Sequence, residues 1–589
     1  MNDFGKRVAF RDDNGEGKTS PPPGEYCHPI TSVVFAKTEH HWTRGQTIRK
    51  STINIDHLEV RRKALNGAGI VEQNDSFSPE QISTHIIVGD PPLPSLHREV
   101  WRPIRYERCA ENEGSHARQE DDTIPLHFSN EYIILNLMQD QQHNAQYYLN
   151  LGNVFRTRGM LDEAISCYEK SLALAQHPTT LNNLGNALRD KGNYTDALRY
   201  YKLALQIDPD FTSAELNSCM IHLEMGEFEK AESGLRALLL VRPYSAEIHN
   251  CLGIVLREIA RFHEALESFK RAIDCDANLE HAHQNLSALY LLMGNFEKGW
   301  REYRWFWNLR GPYDHLQKPL WDGFDIRGNT LLLHAGAGFG DTFQFIRYTP
   351  LIKERGASVL VGCRREIASL LKGVDAIDGI LVEGATIPHF DVQSSLFRLP
   401  IIFETTIDSI PTNIPYITVD KELIDAWNRR IGQWRDSFRI GLAWAGGHRI
   451  GTYRFRAFPP RLFSHLLRMG NAVFYSLQVG SLQGIEEIKA SLHIIDFTKE
   501  IRDFADTAAL IQNLDLVISI DTAVAHLAGA LGKPVWTLLP FVPDWRWLLD
   551  RDDSPWYPTM RLFRQPSPGD WTSVIARVNA ELQKWVSEK

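Results

Sequence analysis

The chain has 589 residues, room for three or four domains at roughly 100–200 residues each. Its 43% hydrophobic and 23% charged residues are ordinary for globular material, and a formal net charge of −9 argues against nucleic acid as the main partner, because polyanion binders carry a basic excess. No run of about 18 apolar residues signals an integral membrane segment, the N-terminal MNDFGKRVAFRDDNGEGK lacks the apolar core of a secretory signal, and seven cysteines without a Cys-x-x-Cys pair or zinc spacing read as free thiols in a reducing cytoplasm.

Residues 1–140 scatter Gly, Pro, His and acidic residues, as in SPPPGEYCHP, and no apolar period persists. This composition predicts an irregular or disordered leader, dispensable for folding, with Met138 as an alternative start.

From about residue 145 the sequence repeats itself. Ala164, Ala197, Ala231 and Ala265 are spaced 33, 34 and 34 residues apart, and four residues after each comes Tyr168, Tyr201, Leu235 or Phe269. Leu-Gly pairs stand upstream at Gly152, Gly185 and Gly253, and turn glycines recur at Gly159, Gly192, Gly226 and Gly294. A small residue lets antiparallel helices approach, a bulky one a turn later fills the space beside it, and glycine permits the tight turn. The pattern resembles the tetratricopeptide repeat in four units, with a fifth, degenerate one around Leu286, Gly294, Gly299 and Tyr303. The array, 141–310, is expected to be an α-solenoid whose groove takes a protein or peptide partner or caps the next domain. The aromatic, arginine-rich stretch from Trp300 to Leu320 is either a ligand surface or a seam docking the repeats on the next domain; the seam is the preferred reading.

Beyond Thr330, short apolar runs alternate with helical stretches, the signature of an α/β fold with a parallel sheet. Strands are expected at Thr330–His334, Ser358–Cys363 and Gly379–Val382, and a linking helix at Lys421–Trp434. The pattern then restarts, with strands at Arg439–Trp444, Ala472–Val479, Leu516–Ile520 and Pro534–Leu539, and a helix over Phe504–Leu514. Two halves, 325–420 and 437–589, each present a loop at the carboxyl end of the first strand, where open α/β sheets bind ligands. In the first loop Gly338 and Gly340 allow close backbone approach or serve packing alone, and Asp341 is either a general base or a plain helix cap. In the second half Asp521 and Thr522 open a helix whose free N–H groups suit a diphosphate. Ala523 leaves room for a ligand there, and His526 faces either a phosphate or the core. The pair Asp552-Asp553 lacks metal-site spacing and reads as solvated surface.

The stretches HAGAGFGDTFQFIRYTP, DLVISIDTAVAHLAGALGKPVWTLLP and PDWRWLLDRDDSPWYPTMRLFRQ resemble the heptosyltransferase-like glycosyltransferases of family 9, here fused to tetratricopeptide repeats. The resemblance covers about 145 to 589 and implies a GT-B double Rossmann domain, hexosyl- or heptosyl-type transfer from a nucleotide sugar with inversion, and no metal or other cofactor. By position it makes Asp341 the base and Asp521, Thr522, Ala523 and His526 the holders of the donor diphosphate, with Gln478 lining the same cleft. One departure stands out. Where the family pattern has an Asp and a later Arg-Ser pair, this chain reads GTYRFRAF, with Tyr453 and Ala457 at those places and Arg454 and Arg456 retained as donor contacts. A protein-interaction scaffold with a degenerate transferase domain is the competing expectation.

Overall fold

The computed structural model of the chain describes residues 144–305, 317–336, 338–432, 437–446, 456–466, 472–479, 488 and 494–587. The expected leader, Tyr453 and Arg454 lie outside the described residues.

Among the described residues ten helices come first, in five antiparallel pairs: α1 (Ala145–Thr157) with α2 (Leu161–Leu174), α3 (Pro178–Asp190) with α4 (Tyr194–Ile207), α5 (Thr212–Glu224) with α6 (Phe228–Val241), α7 (Ala246–Glu258) with α8 (Phe262–Cys275), and α9 (Glu280–Leu292) with α10 (Phe296–Tyr303). Local chemistry sets several starts. Asn144, Asn193, Ser245 and Asn295 cap their helices through side-chain oxygens, and Pro178 occupies the first turn of α3, where its missing N–H costs nothing. The first helices of neighbouring repeats touch one another more closely than the second helices do, so the first helices line the concave side of the solenoid.

The spaced glycines and aromatics meet across each pair. A Cβ on Gly152, Gly185 or Gly253 would lie 2.5 Å from the ring of Tyr168, Tyr201 or Phe269, so the ring fits only against a bare backbone. The third repeat inverts the device. Cys219 stands at the glycine place, Leu235 replaces the ring, and Gly234 on the partner helix makes the room, a Cβ there meeting the Cys219 sulfur at 2.8 Å. Turn glycines 159, 192, 226 and 294 all have φ between +72° and +84°; the fourth repeat puts Ala260 there at φ 60°.

The second region contains two parallel sheets. The first has the order β3 (Gly379–Val382), β2 (Ser358–Cys363), β1 (Thr330–His334), β4 (Val392–Ser395). The second has the order β10 (Met560–Arg564), β9 (Val535–Leu539), β8 (Leu516–Ile520), β5 (Phe438–Ala443), β6 (Ala472–Ser476), β7 (Ile494–Asp496). Strands β4, β7 and β10 escape the sequence reading. The first two are only four and three residues long, and β10, MRLFR, interrupts its apolar run with arginines. Helices α11 (Phe339–Phe345), α12 (Lys421–Ile431), α13 (Phe504–Gln512), α14 (Ala523–Ala530) and α15 (Trp571–Ser587) complete the elements around the two sheets that bear on the site.

The expected aromatic seam is real within the described residues. Trp300 on α10 donates its indole N–H to the Thr405 carbonyl at 2.7 Å and meets Trp545 edge-to-face at 5.4 Å. A single buried apolar cluster runs from Leu223 in the third repeat through Trp300 and Trp321 to Phe343 and Trp547, while the first two repeats keep a core of their own.

Candidate functional site

Strand β1 ends at His334 and the chain re-enters a helix at α11; β8 ends at Ile520 and re-enters at α14. Both helix starts lie beyond carboxyl strand ends, and they are pressed together. A Cβ on Gly340 would lie 2.8 Å from the His526 ring and 3.5 Å from the Ala523 Cα, so only glycine allows this approach of the two halves. Five residues named from the sequence, Gly338, Gly340, Asp341, Ala523 and His526, thus gather in one place.

Asp341 occupies the third position of α11, and its Oδ2 accepts the Gly338 N–H at 3.1 Å, the capping geometry anticipated as one of its two roles. Its other oxygen accepts from the Arg546 guanidinium. Arg546 is buried and also donates to Asp544 Oδ1 at 2.8 Å and to the Gln344 side-chain oxygen. Burial works against the Arg546 charge, but Asp544, Asp341 and Tyr303 outweigh it and hold the guanidinium protonated well above its ordinary range. Trp545 stacks beside that guanidinium at 4.5 Å. Tyr303 on α10 packs against Trp545, and burial drives its phenol well above the ordinary range. The last repeat helix therefore abuts the residue that holds the candidate base.

At the second helix start, Thr522 caps α14, its hydroxyl accepting the Val524 N–H at 3.2 Å and pairing with Ser519 Oγ at 3.0 Å. His526 is buried. Its Nδ1 meets the Tyr557 hydroxyl at 2.9 Å, its Nε2 lies 3.7 Å from Asp521 Oδ1, and its ring stacks on Trp547. Burial raises the Asp521 carboxyl, but the hydrogen bond and charge of His526, with Trp547 and Arg546 nearby, hold it below its ordinary value. Of the two roles left open for His526, the side chain occupies the core-facing one. Behind it, Arg347 sits among Tyr416, Trp556 and Tyr557 and donates to the Trp556 carbonyl at 2.6 Å and the Tyr416 hydroxyl at 2.8 Å, fixing the frame of the site.

Two further expectations land elsewhere. Gln478 is buried after β6, and its side-chain oxygen accepts the N–H groups of Trp444 at 3.1 Å and Ala445 at 2.8 Å. It orients the loop after β5, which passes beside the site, with Gly446 next to the Thr522 methyl. Arg456 does not turn toward α14. It forms a two-pronged ion pair with Glu258 of the fourth repeat, at 2.8 and 2.6 Å. The reason lies in the repeats. Asp190 and Glu224 pair with Arg156 and Arg189 of the preceding repeat, at 2.8 and 3.7 Å. The equivalent place before Glu258 is Leu223, so Arg456 supplies the cation that the preceding repeat lacks, alongside Arg257 of the same helix at 3.0 Å. Asp553 pairs with Arg551 and is largely exposed.

Arg546, Asp544, Gln344 and Tyr557 were not singled out from the sequence. Three of them lie in PDWRWLLDRDDSPWYP, quoted only as a resemblance; the packing of Asp-x-Arg against Trp545 was the available signal.

Comparison with known proteins finds similarities in both regions. Residues 145–178 and 178–211 match one tetratricopeptide repeat model and 220–280 match another. Residues 480–540 match the model described as glycosyltransferase family 9 (heptosyltransferase), a span that contains Asp521, Thr522, Ala523 and His526. The chain thus has segments similar to tetratricopeptide repeats, followed by a segment similar to the glycosyltransferase family 9 (heptosyltransferase) model. It is 25% identical over 417 residues to protein FlbA of Caulobacter vibrioides, a match covering 66% of this chain and 64% of that relative's length. Among solved structures it is similar to the glycosyl transferase family 9 from Veillonella parvula DSM 2008, at 10% identity and TM-score 0.35, covering 46% of this chain and 100% of the other. It is also similar to TTC0263, a thermophilic TPR protein in Thermus thermophilus, at 24% identity and TM-score 0.25, covering 27% and 88%. Among the described residues no helix is long and apolar enough to cross a membrane.

Proposed function

We propose that this chain transfers a sugar from a nucleoside-diphosphate donor to a hydroxyl of a protein, peptide-linked or glycan acceptor, with inversion and without a metal, in the cytoplasm. The observation that carries the reading is the packing of Gly340 on Ala523 and His526, which sets the Asp341 carboxylate beside the start of α14. The acceptor oxygen attacks the anomeric carbon from the face opposite the diphosphate. Its proton passes to Asp341, which keeps lone pairs beyond those used by Gly338 and Arg546. The bond to the leaving diphosphate breaks, and its developing charge is met by the first-turn N–H groups of α14 and the Thr522 hydroxyl. Arg546 is a positioning residue in this scheme, holding Asp341 in one orientation.

The test is transfer and donor hydrolysis with Asp341→Asn. A fall of about 100-fold or more is expected, the usual scale for a general base, with calorimetric binding of nucleoside diphosphates preserved. Full transfer by the variant would remove Asp341 from the role. A second reading, an interaction scaffold without catalysis, is favoured by the commitment of Arg456 to Glu258. Failure of the wild-type chain to bind uridine, adenosine or guanosine diphosphate would establish it.

A further inference from the structure

Tyr303 continues the series Tyr168, Tyr201, Leu235 and Phe269 at the repeat spacing. In the first, second and fourth repeats that ring rests on a glycine of its own first helix. The fifth repeat departs from the device. It has Ser287 at the glycine's place, and Gly299 where the other repeats have alanine. The Ser287 hydroxyl donates to the Gly299 carbonyl at 2.9 Å, and a Cβ on Gly299 would lie 2.5 Å from the Leu291 side chain. The pair is thus closed by other contacts, and its ring has a partner outside the array.

That partner is Trp545. The turn Trp545–Trp547 packs on α9. Three rings meet Trp545 edge-to-face: Trp300 at 5.4 Å, Tyr303 at 6.4 Å and Trp556 at 5.9 Å. Two of the three come from α10. Trp300 is itself fixed, by its hydrogen bond to the Thr405 carbonyl and by edge contacts with Phe296 and Tyr303. Edge-to-face contacts are directional, so they set the plane of the Trp545 ring as well as its place. The Arg546 guanidinium lies over that ring at 4.5 Å and reaches Asp341, Asp544 and Gln344 from there.

We infer that the fifth repeat serves the transferase site: Trp300 and Tyr303 are positioning residues that fix Trp545 and, through the Arg546 guanidinium, set the orientation of the Asp341 carboxylate. The inference rests, for the role of Asp341, on the function proposed above. A guanidinium is a planar fork with its N–H groups in fixed directions. Tilted with a displaced Trp545, it loses the simultaneous fit to three acceptors, and Asp341 turns about its remaining bond to the Gly338 N–H. The donor diphosphate is assigned to the start of α14, which α10 does not supply. Loss of the ring at 303 therefore acts on the chemical step and spares donor binding.

The first arm of the test measures hydrolysis of uridine, adenosine and guanosine diphosphate glucose by the full chain. Tyr303→Leu installs the residue that the third repeat has at this place. It should lower kcat by on the order of 10–100-fold, the scale of a misplacement of about 1 Å, with the donor KM unchanged. Tyr303→Phe keeps the ring and should stay within about fivefold of wild type, the scale of one hydrogen bond. Tyr168→Leu makes the same change in the first repeat and should leave kcat alone. On top of Asp341→Asn, Tyr303→Leu should cost nothing further. The inference is overturned by full kcat in Tyr303→Leu, by a rise in donor KM in place of the fall in kcat, by an equal fall in Tyr168→Leu, or by a further fall beyond Asp341→Asn. The second arm, urea unfolding, needs no turnover. Tyr303→Leu/Arg546→Leu should cost less than the sum of the single variants, because both act through one ring, and additivity would overturn the inference. A wild type that hydrolysed no donor would count against the transferase reading, while the second arm still decided whether the fifth repeat holds Arg546. Should Tyr303→Leu fail to fold, Trp545→Phe takes its place in both arms. Its smaller ring should lower kcat by on the order of 10-fold at unchanged KM, and full kcat would overturn the inference equally.

Discussion

In the first two repeats the partner of each core side chain lies one helix away. Tyr168 rests on Gly152, Tyr201 on Gly185, and the same contact returns in the fourth repeat with Phe269 on Gly253. At the candidate site the partners are far apart in the chain. Arg546 reaches back 205 residues to Asp341, and Arg456 reaches back 198 residues to Glu258. The difference decides how each region absorbs change. A local pair is varied by a nearby second change, as the exchange of Gly and bulk between Cys219, Leu235 and Gly234 demonstrates. The long-range network has a single copy of each contact, and after the loss of one member the buried group depends on its remaining partners alone.

The largest expected effect tests that claim. Glu258 is 1% exposed, and it sits in the last turn of α7, where the helix dipole disfavours a carboxylate. Arg456→Leu leaves it with Arg257 alone. Losing the two charge-assisted hydrogen bonds from Arg456, with Arg257 still in place, costs about 2–3 kcal/mol, read as a loss of stability in urea unfolding. The double variant Arg456→Leu/Glu258→Leu should recover most of it, since an apolar pair of similar size replaces a buried ion pair at little cost. A single variant within about 0.5 kcal/mol of wild type, the scatter of ordinary surface changes, would show that the junction does not depend on this pair.

Next in size is a change inside the array. Gly185→Ala puts a Cβ 2.5 Å from the Tyr201 ring. Overpacking of this kind costs about 1–3 kcal/mol, against a gain of up to about 1 kcal/mol in helix propensity. A net loss of about 1–2 kcal/mol is expected from that difference. Gly185→Ala/Tyr201→Leu introduces the leucine of the third repeat, without the glycine that stands at 234, and should regain part of it, though it gives up the Tyr201 hydrogen bond to Asn186 at 2.7 Å. If the single variant were as stable as wild type in thermal melts, the ring would be free to move and the contact would not be specific.

The same contrast explains what the amino-acid order reveals. The repeats were legible because periodicity makes one contact visible several times, and so were the strands of the two sheets that read as predominantly apolar runs, such as Leu516–Ile520. The gathering of Gly338, Gly340 and Asp341 with Ala523 and His526 was anticipated through the resemblance, whereas the physical reason, a bare backbone at Gly340, needs three dimensions. Arg456 illustrates the opposite case. Its type suits a diphosphate, and nothing in its neighbourhood announces that Glu258, a whole domain earlier, has no arginine from the preceding repeat because its register partner is Leu223. Arg546 was missed for a similar reason, its partners Asp341 and Gln344 being more than 200 positions upstream.

The smallest effect sharpens the comparison from the side of the array. Four of the five turns between paired helices use a glycine at positive φ, and the fourth repeat places Ala260 there at φ 60°. For an L-residue with a Cβ this conformation costs about 1–2 kcal/mol, while glycine brings an entropic penalty of about 0.5–1 kcal/mol through the unfolded chain. Ala260→Gly is therefore expected to stabilise the protein by about 0.5–1 kcal/mol, a rare direction for a single substitution. Gly192→Ala, at φ 84° with no atom near its would-be Cβ, provides the mirror experiment, because backbone strain alone acts there and the sign should reverse. Measuring both by urea unfolding isolates the turn from the helix packing around it. If Ala260→Gly destabilised, the alanine would be held by contacts particular to the fourth repeat. The array would then share, at that one turn, the unduplicated character of the transferase domain.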